Sequence, residues 1–125
     1  MIQEFVIPIY NATVKFVFQD DIDDAMANHC DDIIENEEAL TIWWSDKHYY
    51  VIGIRTDIFK QQTVTHECVH LAHRIMSNVG IPASLTTDEA EAYLAGYLAG
   101  KIVDLATEEM DKQFSEHRYM KNFMI

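Results

Sequence analysis

The chain is poor in cysteine, poor in positive charge and without long apolar runs, and each shortage excludes a class of protein. Its two cysteines, Cys30 and Cys68, in 125 residues cannot make a disulfide scaffold, and they lack the paired spacing of a thiolate zinc site. Each sits in an apolar helical stripe, so both read as small buried thiols of a reducing compartment. Nine basic residues against 21 acidic ones give a net charge of −12, the wrong sign for releasing counterions from a phosphate backbone. No nucleic-acid partner is therefore expected. No apolar run approaches the length of a membrane span, and no membrane partner is expected either. The apolar stretch Met1 to Phe18 is interrupted by Glu4, Pro8, Asn11 and Lys15 and has no basic segment before it, so it reads as folded chain rather than as a secretion signal. The expectation is a soluble, cytoplasmic protein.

The length suits a single domain over residues 1–125 with one real core and no second lobe. Glu4–Ile7 and Thr13–Phe18 are rich in β-branched and aromatic side chains and predict a hairpin turning at Asn11, with Pro8 ending the first run. From Asp20 to Leu40 nine acids occur without a lysine or arginine. Beneath them Ile22, Ala25, Met26, His29, Cys30, Ile33 and Ile34 recur at helical spacing, which predicts one amphipathic helix with an acidic solvent face. The acids lack a glycine-centred loop with a closing glutamate, so they make no calcium site. Thr41–Trp44 and His48–Ile54 form a second strand pair about the turn 45–47. Thr56-Asp57 offers a cap for the helix that follows, and Asn78-Val79-Gly80-Ile81-Pro82 is a stop signal for it. A further helix runs from Thr86 to about Ala106. Residues 107–125 read as a last helix or as a partner-binding tail.

The chemistry lies in His66-Glu67-Cys68-Val69-His70. Histidines four apart fall about 40° apart around a helix, so both imidazoles leave the same side and can grip one metal ion. The glutamate after the first histidine is the residue type that takes a proton from water activated by such an ion. Val64, Cys68, Leu71, Ala72, Ile75 and Val79 form the opposite, apolar side, while His70, Arg74 and Ser77 stay with His66. A catalytic zinc ion needs a third protein ligand, and two carboxylates, Glu89 and Glu91, open the next helix.

This combination, with Glu89 nineteen positions beyond His70 in Asp88-Glu89-Ala90-Glu91-Ala92-Tyr93-Leu94-Ala95-Gly96, resembles the gluzincin class of zinc metallopeptidases. It is most similar to small phage- and prophage-encoded proteins of that type, over residues 60 to 105. The resemblance implies His66, His70 and Glu89 as ligands of Zn2+, Glu67 as general base, and a peptide or protein as substrate. It also implies an edge strand beside the metal helix that holds substrate extended; either strand of the second pair is a candidate. Helix geometry sets Glu89 on the side of Tyr93, Gly96 and Gly100, where glycines admit a close neighbour, and Glu91 at the head of the stripe Leu94, Ala95, Leu98, Ile102 and Leu105. That favours Glu89. A competing role for Glu89 is the capping box Thr86-x-x-Glu89. His73 and Tyr93 are candidates for supporting a ligand or an oxyanion.

The fold class predicted is α+β, a minimal zincin-like domain in which a small, mostly antiparallel sheet is covered by the acidic helix, the metal helix and the glutamate helix. The function expected is zinc-dependent peptide or amide hydrolysis. The alternative is a catalytically silent phage protein with structural zinc, whose acidic surface serves a basic protein partner. The small size, and the presence of Tyr93 where thermolysin-like enzymes carry an aspartate, favour that alternative. An unligated glutamate at Glu67 favours the enzyme, because a structural site has no use for one.

Overall fold

Alternating apolar residues at one end of the chain and two helical stripes at the other meet in an α+β arrangement. The computed structural model describes residues 1–20, 22, 39–44, 48–82 and 84–123. Strand β1, Ile2–Ile7, pairs antiparallel with β2, Ala12–Gln19, with Ile2 opposite Val17 and Ile7 opposite Ala12. Between them Pro8–Tyr10 form a 3-10 turn closed by Asn11 at φ 51°, a left-handed conformation that asparagine tolerates better than branched residues do. The hairpin expected here is thus present.

Strand β3, Ala39–Trp44, pairs antiparallel with β4, Tyr49–Arg55. The sheet order is β1-β2-β4-β3, and its central pair, β2 with β4, is parallel. Sequence reasoning missed this pairing, since parallel neighbours need a long crossover between them and each hairpin was read by itself. Central position explains why β4 is buried without a break from Tyr50 to Ile54: both faces and both edges are covered. The acidic helix expected between Asp20 and Leu40, with His29 and Cys30, lies outside the described residues apart from Asp20, the buried Ile22 and the β3 residues Ala39 and Leu40.

Helix α1, Gln61–Asn78, and helix α2, Asp88–Phe123, cover one face of the sheet. Ala12, Val14, Phe16 and Phe18 of β2 and Tyr50, Ile52 and Ile54 of β4 meet Val64, Cys68, Leu71 and Ile75 of α1 and Leu94, Leu98 and Ile102 of α2 in one core. Both apolar stripes read from the sequence are therefore buried. Met76 joins the first of them, and Val79 lies just beyond the helix end. At that end Gly80 takes φ 84° and the Ile81 amide donates to the Met76 carbonyl at 2.9 Å, the wrapped-back stop that glycine permits. Asn78 Nδ2 donates to the buried Tyr50 hydroxyl at 2.6 Å, tying the end of α1 to the central strand.

Three local expectations are corrected. Thr56–Ile58 is a separate 3-10 turn, and α1 starts later, after Lys60, with no side-chain cap. Helix α2 starts at Asp88, one residue past the Thr86 capping-box frame, and the Thr87 hydroxyl donates to the Pro82 carbonyl at 2.6 Å. The same helix does not stop near Ala106 but continues to Phe123, because no glycine or proline interrupts it beyond Gly100. Among the described residues no helix is long and apolar enough to cross a membrane.

A hydrogen bond from the interior strand β4 to the outer strand β1 carries a measurable signature. Tyr49 donates to Glu4 Oε1 at 2.9 Å, and its phenol is pushed up to about 12, first by burial and then by that carboxylate. An unfolded tyrosine titrates near ~10. The interaction's contribution to stability is therefore whole below pH ~10 and is lost as pH rises toward the folded value. Glu4→Gln should lower the Tyr49 pKa without returning it to normal, since burial remains. Titration by absorbance, with Tyr49→Phe subtracted, reads the shift; an unchanged titration would mean that Glu4 does not act on the phenol.

Candidate metal centre

The exposed side of α1 brings together two of the four residues that the motif singles out. His66 and His70 turn their rings toward each other, with Nε2 to Nε2 at 3.2 Å and ring centroids 4.7 Å apart. Two imidazole nitrogens each about 2.0–2.1 Å from a tetrahedral zinc ion stand about 3.3 Å apart. The pair is therefore spaced as two ligands of one ion. At the same separation one ring can instead donate its N–H to the other.

Glu67 lies about 100° around the helix from His66, on the seam between the histidine side and the core. Only 9% of it is exposed, and it is the one charged residue among the buried described side chains. Its neighbour Cys68 is buried in the core, and its thiol is pushed up to about 12 by burial and secondarily by the Glu67 charge. A thiolate is thus suppressed, and Cys68 is neither ligand nor nucleophile. In a Cys30→Ser background, alkylation of Cys68 should be slow in native buffer and fast in denaturant; rapid native labelling would show that this face of α1 opens.

The glutamates lie on the sides of α2 that helix geometry gives them, but the side that meets α1 is that of Glu91 and not that of Glu89. Glu91 lies half-buried on the packed side of α2, and its Oε1 is 3.2 Å from Nδ1 of His73. Glu89 lies on the exposed side with Tyr93, Gly96 and Gly100, and a Cβ built on either glycine meets nothing within 4 Å. Among the described residues nothing packs on these glycines, so close helix approach does not favour Glu89. The cause is a phase choice: the α2 stripe that buries Leu94, Leu98 and Ile102 carries Glu91 toward α1 instead. Among the described residues no three His, Cys, Asp or Glu side chains form a metal-binding group. The structure joins His66 to His70 and His73 to Glu91, and it joins neither carboxylate to the first pair.

Sequence reasoning missed the His73–Glu91 contact, although its signal was present. Glu91 heads the α2 stripe, and His73 sits one turn beyond His70 on α1. Tyr93 is 74% exposed and lines an apolar groove of about 580 Å³ with Ile7, Pro8, Ile9, Tyr10, Ala90, Leu94 and Tyr97. It faces that groove rather than the histidines.

Strand β4 is interior and has both edges paired, whereas β3 ends the sheet and lies against α1. Among the described strands β3 is thus the end strand on the side of α1. Comparisons of the chain with models of protein families, with curated proteins and with solved structures find no match.

Proposed function

We propose that this protein is a zinc-dependent peptidase or amide hydrolase. The observation that carries the reading is the convergence of His66 and His70 to 3.2 Å on the exposed side of α1, with the buried carboxylate of Glu67 between them in sequence. The donor chemistry fits zinc: two imidazoles on α1 stand at ligand spacing. When bound, zinc supplies a Lewis acid that polarises a carbonyl and brings the pKa of water toward ~7.

The protein groups do the rest. His66 and His70 hold the ion on a rigid helix whose other side is core. Glu67, desolvated at the edge of that core, takes a proton from the attacking water and returns it to the leaving nitrogen. Strand β3, at one end of the described sheet and against α1, is the strand that would offer backbone hydrogen bonds to an extended peptide. The third ligand falls to the first turn of α2: Glu89 by the gluzincin resemblance, Glu91 by its packing toward α1. Zinc titration of Glu89→Ala and Glu91→Ala separates them, because loss of the true ligand weakens binding and loss of the other does not. Metal analysis of protein purified without added metal, followed by a peptide-library cleavage assay, tests the whole reading. Absence of any first-row metal, with none taken up on titration, would defeat it.

A second reading is supported by the open apolar groove and by the distance at which both carboxylates stay from the histidine pair. In it the fold is kept for binding a basic protein partner, and zinc is structural.

A further inference from the structure

We infer that the apolar groove between the β1–β2 connection and the first turns of α2 docks a basic segment of a partner protein, with a lysine or arginine side chain laid against Tyr93 and Tyr97. The inference rests on the second reading above for the existence of a partner, and it holds whether or not the histidine pair is catalytic. The groove, of about 580 Å³, is lined on one side by Pro8, Ile9 and Tyr10 and on the other by Tyr93, Leu94 and Tyr97. None of its lining residues is charged. Its walls stand open, with Ile9 82% and Tyr97 51% exposed. A small ligand is normally buried over most of its surface, which so open a groove does not provide, whereas the side chains of a larger partner need only one covered face. Contiguous exposed apolar surface with tyrosines at its centre is the composition of a protein interface.

Charge selects the partner. Glu89, Tyr93, Tyr97 and Lys101 follow one another at single-turn intervals along α2, and side chains so spaced are neighbours, with Cβ atoms about 5–6 Å apart. An acid therefore stands beside the tyrosines at one end of the row and a lysine at the other. The lysine is already engaged, with Nζ 5.7 Å from the centre of the Phe5 ring. That contact is the same chemistry, a cation on an aromatic face, and it leaves the Glu89 end of the row to an incoming cation. Asp88 adds a second acid to that turn, and the side of α2 that meets α1 is that of Glu91, not that of Glu89. A second copy of the chain is a poor occupant. A two-fold contact across the groove would bring two chains of net charge −12 together with both acidic turns in one interface.

The test is binding of labelled, end-blocked peptides to Glu67→Gln protein, so that hydrolysis does not consume them, measured by fluorescence anisotropy. All carry two leucines and, at the same two positions, lysine, glutamine or glutamate. Expected is about tenfold tighter binding of the lysine peptide than of the glutamine one, with glutamate weaker still. Tyr93→Ala combined with Tyr97→Ala should erase the lysine preference, whereas phenylalanine at both positions should keep it, because the ring face takes the cation. Glu89→Gln should reduce the preference and leave the glutamine peptide unaffected; Ile9→Ser should weaken all three peptides alike. These side chains are exposed, so the melting temperature should hardly move. A lysine preference that survives the double alanine variant and fades with added salt is general attraction to an acidic chain; it would overturn the groove and leave the basic partner standing. Equal binding of the three peptides, or none, would overturn the groove too. So would a dimer in sedimentation that Tyr93→Ala dissociates, since the groove would then belong to a second copy. Tyrosine-dependent binding of the lysine peptide by a wild-type protein that cuts no peptide would support the groove and retire the hydrolase.

Discussion

If the protein is the zinc hydrolase proposed, replacing Glu67 by glutamine should leave the fold and the zinc in place and reduce hydrolysis by about a hundred- to ten-thousandfold, the usual worth of a general base. The substitution must be glutamine. Glu67 is buried at the edge of the core, so truncation to alanine would open a cavity and confuse a structural loss with a chemical one. Glutamine keeps the volume and the hydrogen-bonding shape, and removes only the ability to take a proton. His66→Ala and His70→Ala should differ by losing the metal as well as the activity. The binding-protein reading predicts another pattern, in which Glu67→Gln behaves as wild type and only the ligand variants fail. A folded, zinc-loaded Glu67→Gln protein with full biological activity would leave the hydrolase without support.

If His66 and His70 hold zinc as proposed, stripping it should lower the melting temperature by on the order of 10–20 °C. A ligand present at a thousand times its dissociation constant, and bound only by the native state, contributes about 4 kcal/mol, and a domain of this size shifts by roughly 3–5 °C per kcal/mol. His66 and His70 are exposed, so alanine at either position should alter the stability of the metal-stripped protein by no more than about 0.5 kcal/mol. The signature is therefore a lost response: wild type gains stability when zinc is added, and His66→Ala and His70→Ala do not. Calorimetry with and without a chelator reads this directly. If zinc leaves and the transition does not move, the ion is not coupled to folding and the two histidines do not hold it in the way proposed.

The sequence alone determined what depends on local period and local chemistry. Spacing of four put His66 and His70 on one side of α1, and the apolar residues at helical intervals put Val64, Cys68, Leu71 and Ile75 on the other. Asn11 marked the first hairpin turn and Gly80 the end of α1, because both positions need a left-handed backbone. Tertiary structure decided everything that depends on which surfaces meet. Local pattern cannot express the parallel pairing of β2 with β4, which leaves β3 at one end of the described sheet, because it joins segments separated by a long crossover. Nor could period alone phase α2 against α1. The glycines at 96 and 100 suggested a close neighbour, but burying Leu94, Leu98 and Ile102 releases more apolar surface from water than seating two glycines, so the helix turns Glu91 inward and leaves Glu89 outside. A histidine pair within one helix is legible in a sequence because four residues fix its geometry, whereas a side chain brought in by a second helix depends on a packing angle that no single stretch encodes.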